Sequence, residues 1–351
     1  MENKTVAIFY QAKAPPAVNG IKKPQKPGGY SDGGADIGFA LKSAGVNVLT
    51  PVPNPDPTQV MDWVYPDTDM GLRQAFLDGA QIFWMNTVLH EDHPIQRIRS
   101  NDLWIVGQDA EAVQLYDDKF VTNKALRDEG YAVAASDILD GSDVKIPAST
   151  QYPVILKPIR GRGSAGVTLL KSEEELRALV EQWMKSDEYG HSFMLEEYLP
   201  GEEITITVMP AGKYMFADRE ELKSKNWALP AIRRFDQVDG VAPYNGTVAV
   251  IHNSKVLSSA ELLDPELLRI VGECEKTSDF VKSKAPMRID CRKDSLGRYK
   301  IFDVNLKPNL TGAGRPGREE FNSLCTMSAA AIGWSYSAFV KNILKNAWPS
   351  R

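Results

Sequence analysis

Four residues near the end of the chain, Arg288, Asp290, Asp303 and Asn305, sit in two short apolar stretches, "PMRIDCR" and "YKIFDVN", around the polar turn "DSLGR". Side chains alternate faces along a strand, so Arg288 and Asp290 share a face, and so do Asp303 and Asn305. A hairpin centred near Leu296–Gly297 puts Asp290 opposite Asp303 and Arg288 opposite Asn305. Directly opposed Cβ atoms lie about 4.5–5.5 Å apart. Two facing carboxylates repel and weaken the sheet unless a cation lies between them. Carboxylate and amide oxygens are hard ligands that suit Mg²⁺ or Mn²⁺, especially when phosphates complete the shell. A solvated hairpin face with acidic pairs met by chance is the other reading open at this point.

A second cluster supplies the phosphates with a cradle. "RGRGSAGV", residues 160–167, follows directly on "PVILKP". Gly161, Gly163 and Gly166 let backbone N–H groups come close to a ligand, and Arg160, Ser164 and the strand-ending Lys157 suit phosphate. Lys119, just before a helix, completes a grip from two sides, although each lysine taken singly is an ordinary surface residue. "MLEEYLPGEEITI" is an acidic and apolar connector whose backbone can meet an adenine edge while Glu203 accepts a ribose hydroxyl. The same stretch also reads as a hairpin turn.

These groups need elements to hold them. "TVAIFY", "VNVLTPV", "GAQIFWMNTVL" and "LWIVG" are strand candidates, and "ADIGFALKSAG" is a helix ending at Gly45. The β-loop-α-β rhythm implies a parallel sheet covered by helices, with ligands on the loop side after the strands. The segment 11–34 is too rich in Pro and Gly for regular structure. Helices are expected over about Asp118–Glu129 and in "KSEEELRALVEQWMKSD", where Ser172 and Glu175 fit a capping box. Strands are expected in "SFMLEEYLPGEEITITVMP", "WALPAIRRF" and "TVAVIHN". Asp264 caps a helix with Pro265 at its first position, and a last helix runs from roughly Phe321 to Asn346.

At 351 residues the chain allows two to three domains with a large core. A net charge of −5 and the lack of a basic tail argue against a nucleic-acid partner. No apolar run approaches the ~18 residues a membrane span needs, and "MENKTVAIFYQ" enters a strand rather than a signal peptide. Cys274, Cys291 and Cys325 are widely spaced without CxxC, as expected of reduced thiols in a cytoplasmic protein. The four histidines give no zinc pattern.

Taken in order, "DDKFVTNKALRDEGYAVA", "YPVILKPIRGRGSAGV", "FMLEEYLPGEEITITV" and "RIDCR…IFDVNLKPNLTG" resemble the ATP-grasp superfamily, and within it the D-alanine–D-alanine ligases and related carboxylate–amine ligases. The resemblance runs from about residue 103 onward and is looser before it. It implies an α/β protein, α+β in the ATP-grasp part, with three domains and the nucleotide held between two α+β domains. The expected divisions are 1–115, 116–190 and 191–351.

By position, the resemblance implies that Lys119 and Lys157 hold ATP phosphates under the Arg160–Gly166 loop. Glu196, Glu197 and Leu199 would line the adenine site, and Glu203 would bind the ribose. Asp290, Asp303 and Asn305 would coordinate two Mg²⁺, and Arg288 would steady an oxyanion. Arg234 is favoured as the cation at the γ-phosphate, with Lys223 or Lys225 in reserve. His90, Asn309 and Arg315 are expected around the organic substrate. Three features depart from the family pattern: Asp303 replaces a usual Glu, Asn309 replaces a usual Gly, and Arg315 and Arg318 stand where small polar residues are expected.

The implied activity joins an acid to an amine through an acyl phosphate. Partners would be small molecules, with a homodimer left open. Two rivals are a biotin-carboxylase-type ATP-grasp enzyme and a nucleotide-binding module without catalysis. No biotin-acceptor "MKM" is present.

Overall fold

A computed structural model describes residues 3–98, 100–243 and 249–350. The N-terminal part is built on strands β1 (Val6–Tyr10), β2 (Tyr65–Pro66), β3 (Ile82–Asn86) and β4 (Trp104–Val106), all parallel. Helices α1 (Ser31–Ser43) and α2 (Asp69–Leu77) connect β1 to β2 and β2 to β3, and α3 (Ala110–Tyr116) follows β4. The unbroken apolar run of β1 has a direct cause. Val6 and Ile8 enter one core while Ala7 and Phe9 enter another on the opposite face. A parallel strand covered on both sides needs apolar residues at every position. The expected strand "VNVLTPV" reduces to one bridge, Val48 to Val6.

Helix α4 (Lys119–Asp128) opens the middle part, capped by the Asp118 side chain on the N–H of Val121. An antiparallel sheet follows, in the order β5 (Ser136–Asp140), β8 (Ser192–Glu197), β6 (Val154–Pro158), β7 (Thr168–Leu170). Helix α5 (Glu173–Ser186) covers it, and Ser172 caps that helix on the N–H of Glu175 as its sequence predicts. Leu176, Val180 and Trp183 pack into the core under the sheet. Because β8 belongs here, this sheet runs past residue 190, the division expected from sequence.

The third part holds a sheet ordered β14 (Ser254–Val256), β13 (Ile232–Arg234), β9 (Glu203–Met209), β15 (Met287–Lys293), β16 (Tyr299–Asn305), with β12 (Trp227–Ala228) also on β9. A separate hairpin pairs β10 (Gly212–Phe216) with β11 (Arg219–Lys223). Helix α6 (Pro265–Phe280) begins at the Asp264 cap. The expected closing helix is two, α7 (Leu324–Ala330) and α8 (Tyr336–Lys345), because the chain turns at Gly333 with φ +85°. Only glycine takes that conformation at little cost. Finally β17 (Trp348–Pro349) runs antiparallel to β4, so the C-terminal segment returns to the first sheet. The described part of "TVAVIHN" is a single 3-10 turn, Val250–His252, and Thr247 and Val248 lie outside the described residues.

The third sheet has two unlike faces. Ile204, Ile206, Val208, Met287, Ile289 and Cys291 point into one core. The alternate positions, Glu203, Thr205, Thr207, Arg288, Asp290 and Arg292, are polar and also buried. Burying polar and charged groups is costly unless each finds a partner. A whole sheet face of them marks a site. Among the described residues, no helix is long and apolar enough to cross a membrane.

Candidate active site

The polar face of the third sheet and the loop after β6 enclose a cavity of about 850 Å³ that opens to solvent. At its floor the hairpin has the register expected: Asp290 pairs with Asp303 and Arg288 with Asn305. The ladder is irregular between Asp290 and Cys291, since Cys291 pairs with Ile301. Phe302 is therefore a bulged extra residue. The bulge lets Ile301 enter the core while Asp303 faces the cavity, and it adds the Phe302 ring to the cavity wall. Strict alternation could not reveal that ring.

Each carboxylate has its own partners. Asp290 takes Arg288 Nη2 at 2.9 Å and the Thr205 hydroxyl at 2.6 Å. Asp303 takes the Lys119 ammonium. Burial works against both members of that pair, but their mutual attraction prevails: Lys119 is held above its ordinary value and Asp303 below its own. Lys157 donates to both oxygens of Glu196, at 2.7 and 2.8 Å, and to the carbonyl of Phe302 at 3.0 Å. Burial raises the Glu196 carboxyl despite Lys157. Glu203 is pushed up to about 7, first by burial and then by Asp290, against the pull of Arg292, Arg234 and Arg288.

The loop after β6 splits the residues assigned to it. Gly161, Gly163 and Ser164 line the cavity, as does Arg162. Arg160 is buried elsewhere, donating to the carbonyl of Gln114 at the end of α3. Gly166 shapes the loop from behind: its φ is +73°, and a Cβ there would come within 2.8 Å of Pro158 Cγ and 3.0 Å of Tyr189 Cζ. Arg162 Nε donates to Pro24 O at 2.7 Å, and Lys22 pairs with Asp187 at 2.6 Å. The Pro- and Gly-rich segment after β1 is thus strapped to the middle domain.

Leu199, Tyr198, Ile155 and Val241 give the far end of the cavity an apolar lining. Glu197 lines it too, while its carboxylate takes the N–H of Ala135 at 2.7 Å and Lys300 at 2.7 Å. Arg292, which sequence reasoning missed, donates to the carbonyl of Gly240 at 2.6 Å and to Gln237 at 2.5 Å. It lies 5.1 Å over the Tyr198 ring and so fixes the wall beside Glu203. The signal was there: Arg292 continues the alternation of Arg288 and Asp290.

Arg234 is the cross-strand partner of Glu203 and donates to the Ser254 hydroxyl at 3.0 Å and to Pro243 O at 3.1 Å. Lys223 lies over the rings of Phe216 and Trp227, and Lys225 is exposed; neither lines the cavity.

The substrate-side residues differ most from expectation. Arg315 is buried and bonded to Asp36 at 2.8 Å, Asp32 at 2.6 Å and Pro57 O at 3.1 Å, so its charge is spent on helix α1. Asn309 keeps a negative φ. Its side chain accepts from the N–H and hydroxyl of Thr311, at 3.1 and 2.5 Å, instead of supplying a left-handed turn. His90 stands edge-on to His93, 5.3 Å between centroids, and His93 Nε2 is 3.2 Å from Asp67. Burial and then His93 lower the His90 pKa.

Of the three expected metal ligands, Asp290 and Asp303 line the cavity, whereas Asn305 does not and its Oδ1 accepts the backbone N–H of Lys307. Among the described residues, no three Asp, Glu, His or Cys side chains form a metal cage. A hard cation here would rest on Asp290 and Asp303 plus phosphate oxygens, the usual arrangement for Mg²⁺. The cavity combines an apolar stretch of wall with many convergent cationic and acidic groups, a lining suited to a charged ligand that also carries an apolar ring.

Residues 131–345 match the family model of the D-ala D-ala ligase C-terminus, more than half of the chain. The chain belongs to that family. A D-alanine--D-alanine ligase of Haemophilus influenzae (strain PittEE) is 27% identical over 203 residues, covering 57% of this chain and 58% of the relative. One from Francisella tularensis subsp. tularensis (strain WY96-3418) is 28% identical over 196 residues, covering 56% of each. The chain thus spans a little over half the length of the curated relatives it matches.

Among solved structures, a D-alanine--D-alanine ligase from Bacillus anthracis complexed with ATP superposes with TM-score 0.64 at 18% identity, covering 98% of this chain and 97% of that one. The VanG D-Ala:D-Ser ligase from Enterococcus faecalis gives 0.60 at 17%, covering 97% and 98%. These likenesses establish the ATP-grasp fold across nearly the whole family member, including the part before residue 131.

Proposed function

We propose that this family member is an ATP-dependent carboxylate–amine ligase. The observation that carries the reading is the convergence of Lys119, Lys157, the Gly161–Ser164 loop, Arg288, Asp290 and Asp303 on one cavity. In the reaction, an oxygen of the substrate carboxylate attacks the γ-phosphorus of ATP, and ADP leaves. The amine then attacks the acyl carbon, loses a proton, and expels phosphate. Lys119, Lys157 and the loop amides bind and orient the triphosphate, so catalysis is chiefly positioning and electrostatics. Mg²⁺ held by Asp290 and Asp303 would supply neutralising charge.

Arg288 sits beside Asp290 on the cavity floor, where its guanidinium can steady negative charge on the acyl oxygen. Arg234, the cross-strand partner of Glu203, remains the candidate cation for the γ-phosphate, although it is not among the residues that line the cavity. Glu203, Glu197 and Leu199 border the end suited to ribose and adenine. The three buried thiols accord with a reducing, cytoplasmic setting. The test is ADP release over a matrix of candidate acids and amines, with mass detection of the ligated product. ATP binding without ADP release or product from any pair would leave a nucleotide-binding module instead.

A further inference from the structure

Two lysines from distant parts of the chain meet on one aromatic ring. The ammonium of Lys26, in the segment before α1, lies 4.6 Å from the centroid of Tyr30. That of Lys307, just past β16, lies 4.2 Å from the same centroid. Among the described residues, no carboxylate pairs with either ammonium. Lys307 Nζ donates to the carbonyl of Pro308 at 3.2 Å. The nearby Asp32 is already held by Arg315 and Arg318. Burial and then the charge of Arg162 hold the Lys26 pKa below its ordinary value. Burial and then Lys26 lower the Lys307 pKa further, to about 7, and a bound anion would favour the charged form of both lysines.

The place is as telling as the charge. Asn305 Oδ1 accepts the backbone N–H of Lys307 at 3.1 Å, which ties this lysine to the end of the strand that carries Asp303. Arg162 and Arg288 both act electrostatically on Tyr30, and both line the nucleotide cavity. The cluster itself does not line that cavity but lies within electrostatic reach of these two arginines, and Lys307 lines a neighbouring pocket with Asn86, Thr87 and Pro308.

We propose that Lys26 and Lys307 bind a carboxylate that one organic substrate carries besides its reacting group, so that the building block is acidic. The inference rests on the ligase reading and narrows it to a substrate class. Ammonium groups bind carboxylate through charge-assisted hydrogen bonds, and the Tyr30 face keeps both cations in place.

Calorimetric titration tests this without needing turnover. The full chain, saturated with a non-hydrolysable ATP analogue and Mg²⁺, is titrated with D- and L-aspartate, D- and L-glutamate, and D- and L-alanine. The expected result is an acidic amino acid that binds about tenfold or more tighter than alanine of the same configuration. Lys307→Met and Lys26→Met should each remove most of that preference and leave affinity for the analogue within about twofold. Equal binding of alanine, or no binding by any of the six, overturns the inference. So does an equal loss of analogue affinity in both variants, which would assign the lysines to the phosphates. Failure of the ligase reading shows separately, as no ADP release with any acid and amine.

Discussion

Asp303 stands directly across the antiparallel ladder from Asp290, yet the two carboxylates lean on different cations, Lys119 for one and Arg288 for the other. Each cation neutralises its own carboxylate while leaving oxygens near the cavity. Asp303→Asn removes one ligand charge and leaves Lys119 without its partner. Turnover in saturating Mg²⁺ should fall by about a hundredfold or more, since several kcal/mol of charge stabilisation is lost. A steady-state kcat near that of the wild type would remove Asp303 from the metal-binding role.

Glu203 gives a pH signature. Its carboxyl is raised to about 7 in the fold from 4.5, so between these values the native state holds a proton that the unfolded chain has released. Stability from this group is therefore present at low pH and is lost as pH rises toward 7. Glu203→Gln stays neutral throughout. Relative to wild type, the variant should gain about 1–3 kcal/mol in unfolding free energy from pH 5 to pH 8. Urea denaturation without nucleotide, at both pH values, checks this; a constant difference would mean that Glu203 titrates normally.

The meeting of Lys119, Lys157 and the glycine-rich loop at one cavity was legible because each sits at the end of an element with a clear local signal. Alternation put Arg288 with Asp290 and Asp303 with Asn305, but the pairing of Asp290 with Asp303 rests on the bulge at Phe302, since the pairs nearer the turn join Lys293 to Tyr299, Arg292 to Lys300 and Cys291 to Ile301. What local rules miss is long-range pairing. Nothing near Arg315 in sequence announces that Asp32 and Asp36, far up the chain, absorb its charge. Arg160 looked like a phosphate ligand from its neighbours, but its side chain passes to α3. The final helix was overextended because Gly333 resembles an ordinary helix-interior residue until its left-handed φ is seen. The bulge at Phe302 had no signal of its own.

Arg315 now predicts a stability effect in place of a substrate effect. Asp36 is fully buried, and Arg315 supplies its closest positive partner, with Arg318 farther away at 3.3 Å. Removing one member of a buried pair strands the other charge. Arg315→Met should cost about 2–4 kcal/mol, and Asp36→Asn in the same chain should recover part of it. Denaturant unfolding of the single and double variants gives the coupling. Additive losses would show that the pair is not a unit.

The loop at 160–167 carries the last prediction. Ala165 and Val167 donate their N–H groups to carbonyls within the loop, those of Arg162 and Ser164. Among the described residues, the N–H groups of Gly161, Gly163 and Ser164 meet no such acceptor, and all three residues line the cavity. Donors left open on a cavity wall are what phosphate oxygens engage. The loop is also held from above, by Arg162 on Pro24 and by the Ser164 hydroxyl at 3.3 Å from Ala242 O. Nucleotide should therefore tighten a segment already roughly in place. Hydrogen exchange at residues 161–164 should slow about tenfold or more on adding ATP and Mg²⁺, while the amides of α5 stay unchanged. Adding Mg²⁺ alone should not produce the effect. If exchange at these amides is indifferent to nucleotide, the loop is a structural turn, and the phosphates must be held by Lys119 and Lys157 without it.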